Sequence, residues 1–80
     1  MEGTLTDAGT LRPGDVLLTD EYGSIAEGAV LNVRNTILRD RAPYRDRFGR
    51  EMFRYWARRE DTGAEGWMTY GPGAMVRRAR

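Results

Sequence analysis

Glu51-Met52-Phe53-Arg54-Tyr55-Trp56-Ala57-Arg58-Arg59 is the stretch on which the fold turns. Wound as a helix, it would set Phe48, Met52, Tyr55 and Arg59 on one face and leave Phe53 and Trp56 spilling around the cylinder. Extended, it alternates cleanly. Phe53, Tyr55 and Ala57 then point one way, and Met52, Arg54, Trp56 and Arg58 the other. Three aromatics within four residues favour the strand, because such side chains pack well on a half-buried pleated surface. The helix stays open as the alternative. On the extended reading, one face is core and the other carries an indole between two guanidinium groups.

Working outward, Glu60 to Glu65 is turn-rich, and Trp67-Met68-Thr69-Tyr70 resumes as a strand after Gly66. A hairpin joining 51–59 to 66–70 is the natural pairing. Gly71-Pro72-Gly73 breaks the chain, Ala74-Met75-Val76-Arg77 makes a last short strand, and Arg80 is expected to fray. Upstream, Asp40 to Arg50 holds Pro43, Gly49, four Arg and two aromatics, and reads as an exposed connection. Residues 29–39 alternate, with Leu31, Val33 and Ile37 inward and Asn32, Arg34 and Thr36 outward. Asn35 interrupts the inner face and Leu38 the outer, which predicts a bulge or bend there. Asp20 to Gly28 is a polar loop whose tip offers Tyr22 and Ile25 as lid contacts. Arg12-Pro13-Gly14-Asp15 is a turn in front of the strand Val16-Leu17-Leu18-Thr19. Residues 1–10 read as a loose lead-in, and 11–78 as one domain. The fold class is all-β: a small five-stranded antiparallel barrel, partly open, which suits a chain too short for a second layer.

The composition narrows the chemistry. Eighty residues bury about 60–65% of the surface that the unfolded chain exposes. Of the apolar 40%, eight residues are Ala, so large core side chains are few. No Cys and no His means no thiolate nucleophile, no Cys-based zinc site and no imidazole base. Ser24, the only serine, has no His to activate it, and the carboxylate pairs Asp20/Glu21 and Glu60/Asp61 sit in solvated turns. The sequence argues for a chain that is not an enzyme and needs no metal or cofactor. The N-terminus shows no signal peptide and no apolar run approaches a membrane span, so a cytoplasmic location is expected.

The stretch Trp56-Ala57-Arg58 … Thr62-Gly63 … Gly66-Trp67-Met68 resembles the distal hairpin of SH3 domains. Pro13-Gly14-Asp15-Val16-Leu17 resembles their Gly-Asp-x-Leu step. Leu31-Asn32-Val33-Arg34, followed by Gly66-Trp67-Met68, is similar to the Leu-Asn-Val-Arg … Gly-Trp-Val pattern of bacterial SH3 domains. The resemblance implies an SH3-like barrel and does less for the ligand. The Ala-Leu-Tyr-Asp-Tyr-type opening of polyproline binders is absent. Thr69 stands where their ligand-contacting Pro follows, and Arg54 where their ligand-binding Trp stands. Bacterial SH3 domains often bind cell-wall peptides outside the membrane, which the missing export signal does not match.

All 13 cations are Arg and none is Lys. Twelve of them follow residue 31, where the local charge is +6 against −5 before it. Arg without Lys, abundant Ala and Gly and no Gln resemble accessory products of phages infecting actinobacteria. Two functions compete. Trp, Tyr, Met and Arg are enriched at interface cores, so a patch of Tyr44, Arg54, Trp56, Arg58 and Tyr70 would dock a protein or make a homodimer. Arg54-x-Trp56-x-Arg58, extended by Arg34 on a neighbouring strand, is also what RNA- or single-stranded-DNA-binding barrels use. Glu51, Glu60, Asp61 and Glu65 cut the positive field, and the domain is not strongly basic. A third reading leaves Trp56 covered by Arg stems or a loop, with the charges a solvated face. The favoured expectation is a protein-binding module, with nucleic acid as the alternative.

Overall fold

In a computed structural model that describes residues 3–79, β5 (Glu51–Arg59) is the strand around which the sheet is organised. It is extended over all nine residues, and Phe53, Tyr55 and Ala57 are its buried row. One edge of β5 pairs with β6 (Glu65–Tyr70) in a hairpin that matches Phe53 to Tyr70, Trp56 to Trp67 and Arg58 to Glu65. The turn is closed by Arg59 N–H to the Ala64 carbonyl, and Gly63 takes the left-handed conformation (φ 75°) that a side chain would strain.

The other edge of β5 is shared. Its C-terminal half pairs with β3 (Val33–Ile37) and its N-terminal half with β4 (Ala42–Arg45). The Leu38 N–H still reaches the Trp56 carbonyl at 2.8 Å, so 33–45 runs as one interrupted strand along β5. Residues 39–41 then face Tyr55 alone before pairing resumes at Ala42 opposite Arg54, an insertion of two extra residues. The expected bend is real and lies just after Leu38. β4 corrects the expectation of an exposed connection over 40–50. Pro43 is tolerated because β4 has no ladder on its far side.

β2 (Val16–Thr19) pairs with β3 and with β7 (Met75–Arg78), and β7 pairs with β1 (Thr4–Asp7). The seven strands form one antiparallel sheet, in the order β1-β7-β2-β3-β5-β4 with β6 on the second edge of β5. The all-β class holds. Among the described residues the count is seven rather than five, and the sheet is not closed: β1, β4 and β6 each keep an unpaired edge.

β1 also corrects the loose lead-in. Thr4–Asp7 is locked by register with Met75–Arg78, and a 3-10 turn follows at Ala8–Thr10, where Asp7 Oδ1 accepts from Gly9 N–H at 2.8 Å. The Tyr55 hydroxyl donates to the Ala8 carbonyl at 2.6 Å, while Ala8 N–H donates to the Ala74 carbonyl. A polar segment is thus ordered by contacts distant in sequence. The expectations for Met1, Glu2 and the fraying Arg80 lie outside the described residues.

The core gathers Ala8, Leu11, Leu17, Ile37, Phe53, Tyr55, Ala57, Tyr70 and Val76, with Ile25, Met68 and Ala74 packed against it. Asn35 interrupts the inner face as expected, yet it is buried. Its amide donates to Thr19 Oγ1 (2.9 Å) and to the Leu17 carbonyl (3.2 Å), which satisfies a polar group that would otherwise be costly there.

Candidate binding surface

The outward row of β5 meets the outward residues of β4 and β6 in a continuous stack. The Arg54 guanidinium lies 4.6 Å from the Tyr44 ring centroid and 4.1 Å from that of Trp67. These are diagonal neighbours, because Arg54 sits directly opposite Ala42 and Thr69, and long side chains reach across that diagonal. Trp67 meets Trp56 edge to face at 5.1 Å and 76°, and Arg39 caps the far side of Trp56 at 5.1 Å. The order is Tyr44, Arg54, Trp67, Trp56, Arg39. Each cation–ring contact contributes about 0.5–1 kcal/mol when exposed and more when desolvated. The stack fixes its members in place. Trp67 remains 40% exposed and Tyr44 36%.

Two polar details set its electrostatics. Trp56 Nε1–H donates to Glu65 Oε1 at 2.7 Å. Arg54 Nε is buried with no hydrogen-bond partner among the described residues. The guanidinium sits between the two rings, and its Nε is shut off from solvent as well as from any partner.

Of the residues expected at the site, Tyr44, Arg54 and Trp56 are brought together. Arg58 lies on the same face of β5, opposite Glu65, and Arg34 on the same face of β3. Tyr70 is not on this surface. It is buried on the inner face at 8% exposure, 6.3 Å from Phe53, and burial pushes its phenol above the ordinary range. Once Trp67 pairs with Trp56, a residue three places on must face the other way, so the hairpin register carried that signal. Trp67 and Arg39 were missed. Trp67 follows from the same register, whereas Arg39 reaches Trp56 only through the insertion at 39–41.

The β4–β5 turn adds a basic tip. Phe48 is 68% exposed, with the Arg47 and Arg50 guanidiniums 5.0 and 5.4 Å from its ring. Asp46 holds this turn: its Oδ1 accepts from the backbone of Arg50 and Phe48, and its Oδ2 from Arg50 Nε at 2.7 Å. The Arg50 backbone bond, with the rest of that cluster, holds its carboxyl below the usual range.

Behind Trp67, the unpaired edge of β6 borders a groove of about 370 Å³ whose lining includes Tyr22, Asn35, Ala57, Met68 and Tyr70. Asp20 shapes the opposite lip, its Oδ1 accepting from Tyr22 and Ser24 N–H. Arg59 ties that lip to the hairpin through the Glu21 carbonyl (2.6 Å) and Asp61 (2.7 Å). Tyr22 stands 85% exposed at the rim, where a lid contact was expected, while Ile25 packs against the core.

Comparison with protein-family models, with curated proteins and with solved structures returned no match. Among the described residues, no helix is long and apolar enough to cross a membrane, and no three acidic side chains converge on a metal position.

Proposed function

We propose that the chain is a non-enzymatic protein-binding module whose docking surface is the outer face of β4, β5 and β6. The observation that carries this reading is the Tyr44–Arg54–Trp67–Trp56 stack, a set of exposed aromatic and Arg side chains already held by one another. Such residues dominate interface energetics, and ordering them before binding removes part of the entropic cost of association. An SH3-like identity for the small open sheet is supported by the order of the distal-hairpin and Gly-Asp-x-Leu motifs. Exclusive use of arginine supports a phage origin, and with it a host protein as partner.

The test is quantitative capture from a bacterial lysate with the wild-type chain, Trp67→Ala and Tyr22→Ala, each shown to be folded by thermal melting. A partner retained by wild type and lost with Trp67→Ala supports the reading. Equal capture by wild type and Trp67→Ala refutes the surface.

The basic tip around Phe48, continuous with Tyr44, favours nucleic acid as the second reading. It requires that a labelled oligonucleotide bind at low salt and release steeply as salt rises. Absence of low-salt binding removes it.

A further inference from the structure

The sheet leaves three edges unpaired, and they are not equivalent. β4 is blunted by Pro43, which lacks an N–H, and by Arg45, both common protections against strand pairing. β1 has four residues and ends in Asp7, whose carboxylate is already engaged by Gly9 N–H. β6 has six residues, no proline, and no charge from Gly66 to Tyr70. It also borders the groove whose opposite lip Arg59 holds in place. An edge of this kind exposes a row of backbone donors and acceptors that an extended chain would satisfy.

We propose that β6 receives an extended segment of the partner protein by strand addition, with alternate side chains apolar and acidic. This rests on the protein-binding reading and specifies how the partner enters. A strand laid beside β6 points every second side chain into the groove, against Met68, Tyr70 and Tyr22, where small or branched apolar groups fit. The intervening side chains emerge beside Trp67 and Thr69 on the outer face, where Arg54 rests on the Trp67 ring and Arg39 and Arg58 lie beyond. Glu65 is the acid on β6, and its Oε1 is engaged by Trp56. A neutral indole leaves the Glu65 carboxylate charged, so the cationic part of this face is the Trp67–Thr69 half beside Arg54, and it is there that a partner carboxylate is favoured. The Arg54 guanidinium, beside the exposed Trp67 ring, is the charge they would approach.

The experiment titrates the isotope-labelled full chain with a blocked heptapeptide of alternating valine and glutamate, following backbone amide shifts. A valine–lysine heptapeptide and two glutamate peptides, N-methylated on one or the other alternate set of residues, serve as comparisons. Shifts should concentrate in Glu65–Tyr70 and at Tyr22, and the glutamate peptide should bind about tenfold more tightly than the lysine one. One N-methylation phase should abolish binding and the other leave it intact, because only alternate amides face β6. Tyr22→Ala, on an exposed loop, should weaken binding without loss of fold.

Shifts centred on β1 or β4, equal affinity for both charges, indifference to both N-methylation phases, or no shift at millimolar peptide would each overturn the proposal. If capture depends on Trp67 while these peptides leave β6 unmoved, strand addition is wrong and the protein-binding reading survives. If capture is also independent of Trp67, both fall.

Discussion

The two faces of β5 use the same residue types for opposite purposes. Inward, Phe53 and Tyr55 meet edge to face at 6.0 Å, and the one hydroxyl among them is matched to the Ala8 carbonyl. Outward, Trp56 and Trp67 meet at nearly the same angle, but Arg54 beside them keeps a buried nitrogen without a partner. The inner face is satisfied and the outer face is not. An aromatic cluster that is closed off stabilises the fold, whereas one that leaves its rings exposed is available to a ligand. Substitutions on the inner face should therefore move stability. Those on the outer face should move binding far more than stability.

The sharpest test of that contrast is Tyr55→Ala. It removes a ring with no solvent exposure and unties the 3-10 turn from the sheet, so a loss of about 3–5 kcal/mol is expected. Chemical denaturation should show the variant unfolded or nearly so. A loss below about 1 kcal/mol would mean that Tyr55 does not close the core. Asn35→Ala comes next. It leaves the Leu17 carbonyl and Thr19 hydroxyl without their amide donor, for a cost of about 1–3 kcal/mol by the same measurement.

The inner face also has a signature in pH. Burial pushes the phenols of Tyr70 and Tyr55 above their ordinary value of 10.0. Where the folded-state pKa is raised, the contribution is whole below the unfolded value and is lost as pH climbs toward the folded one. The unfolded chain starts to release these protons near pH 10 while the folded chain holds them. Stability should then fall above pH 10, by up to about 1.4 kcal/mol per pH unit for Tyr70, with Tyr55 acting in the same direction. Tyr70→Phe keeps the ring and removes one share of that slope. An unchanged alkaline slope in the variant would place Tyr70 outside the core.

What was legible in the sequence follows the same division. The parity of Phe53, Tyr55 and Ala57 and the pairing of 51–59 with 66–70 were readable because period-two alternation and the turn both act locally. β1 was not, because Thr4-Leu5-Thr6-Asp7 carries no apolar alternation and is held by β7, about seventy residues away in the chain. β4 was hidden by Pro43 and by its arginines, features that mark an edge strand as readily as a loop. Tyr44, Arg54 and Trp56 could be grouped from sequence, but the tightness of the stack could not. That tightness follows from the register of β4, β5 and β6, except for Arg39, which reaches Trp56 only through the two-residue insertion that also places Arg41 over Phe53 at 5.4 Å. Tyr70, three places after Trp67, faces the core because the pairing of Trp67 with Trp56 sends odd steps from Trp67 inward.

On the outer face the expected stability effects shrink. Arg54→Met keeps the aliphatic stem and loses two ring contacts together with an unpaired buried nitrogen. The opposing terms leave a net change of about 1 kcal/mol or less. Partner capture should nevertheless fall as it does for Trp67→Ala. A large drop in melting temperature would show instead that the stack is part of the core, and would erase the distinction between the faces.

Glu65→Gln is the smallest change and the finest discriminator. Its side-chain oxygen can still accept from Trp56 Nε1–H, so only the charge opposite Arg58 is lost. Exposed pairs of this kind contribute about 0.2–1 kcal/mol, so stability should move by no more than that. Removing the acid on β6 nonetheless makes the outer face more cationic beside the edge where a carboxylate would land. Affinity for an acidic extended segment should rise, and the Trp56 indole N–H resonance should move while that of Trp67 stays nearly in place. If affinity falls instead, Glu65 contributes a contact of its own. The outer face would then select its partner through the Trp56–Glu65 pair rather than through Arg54.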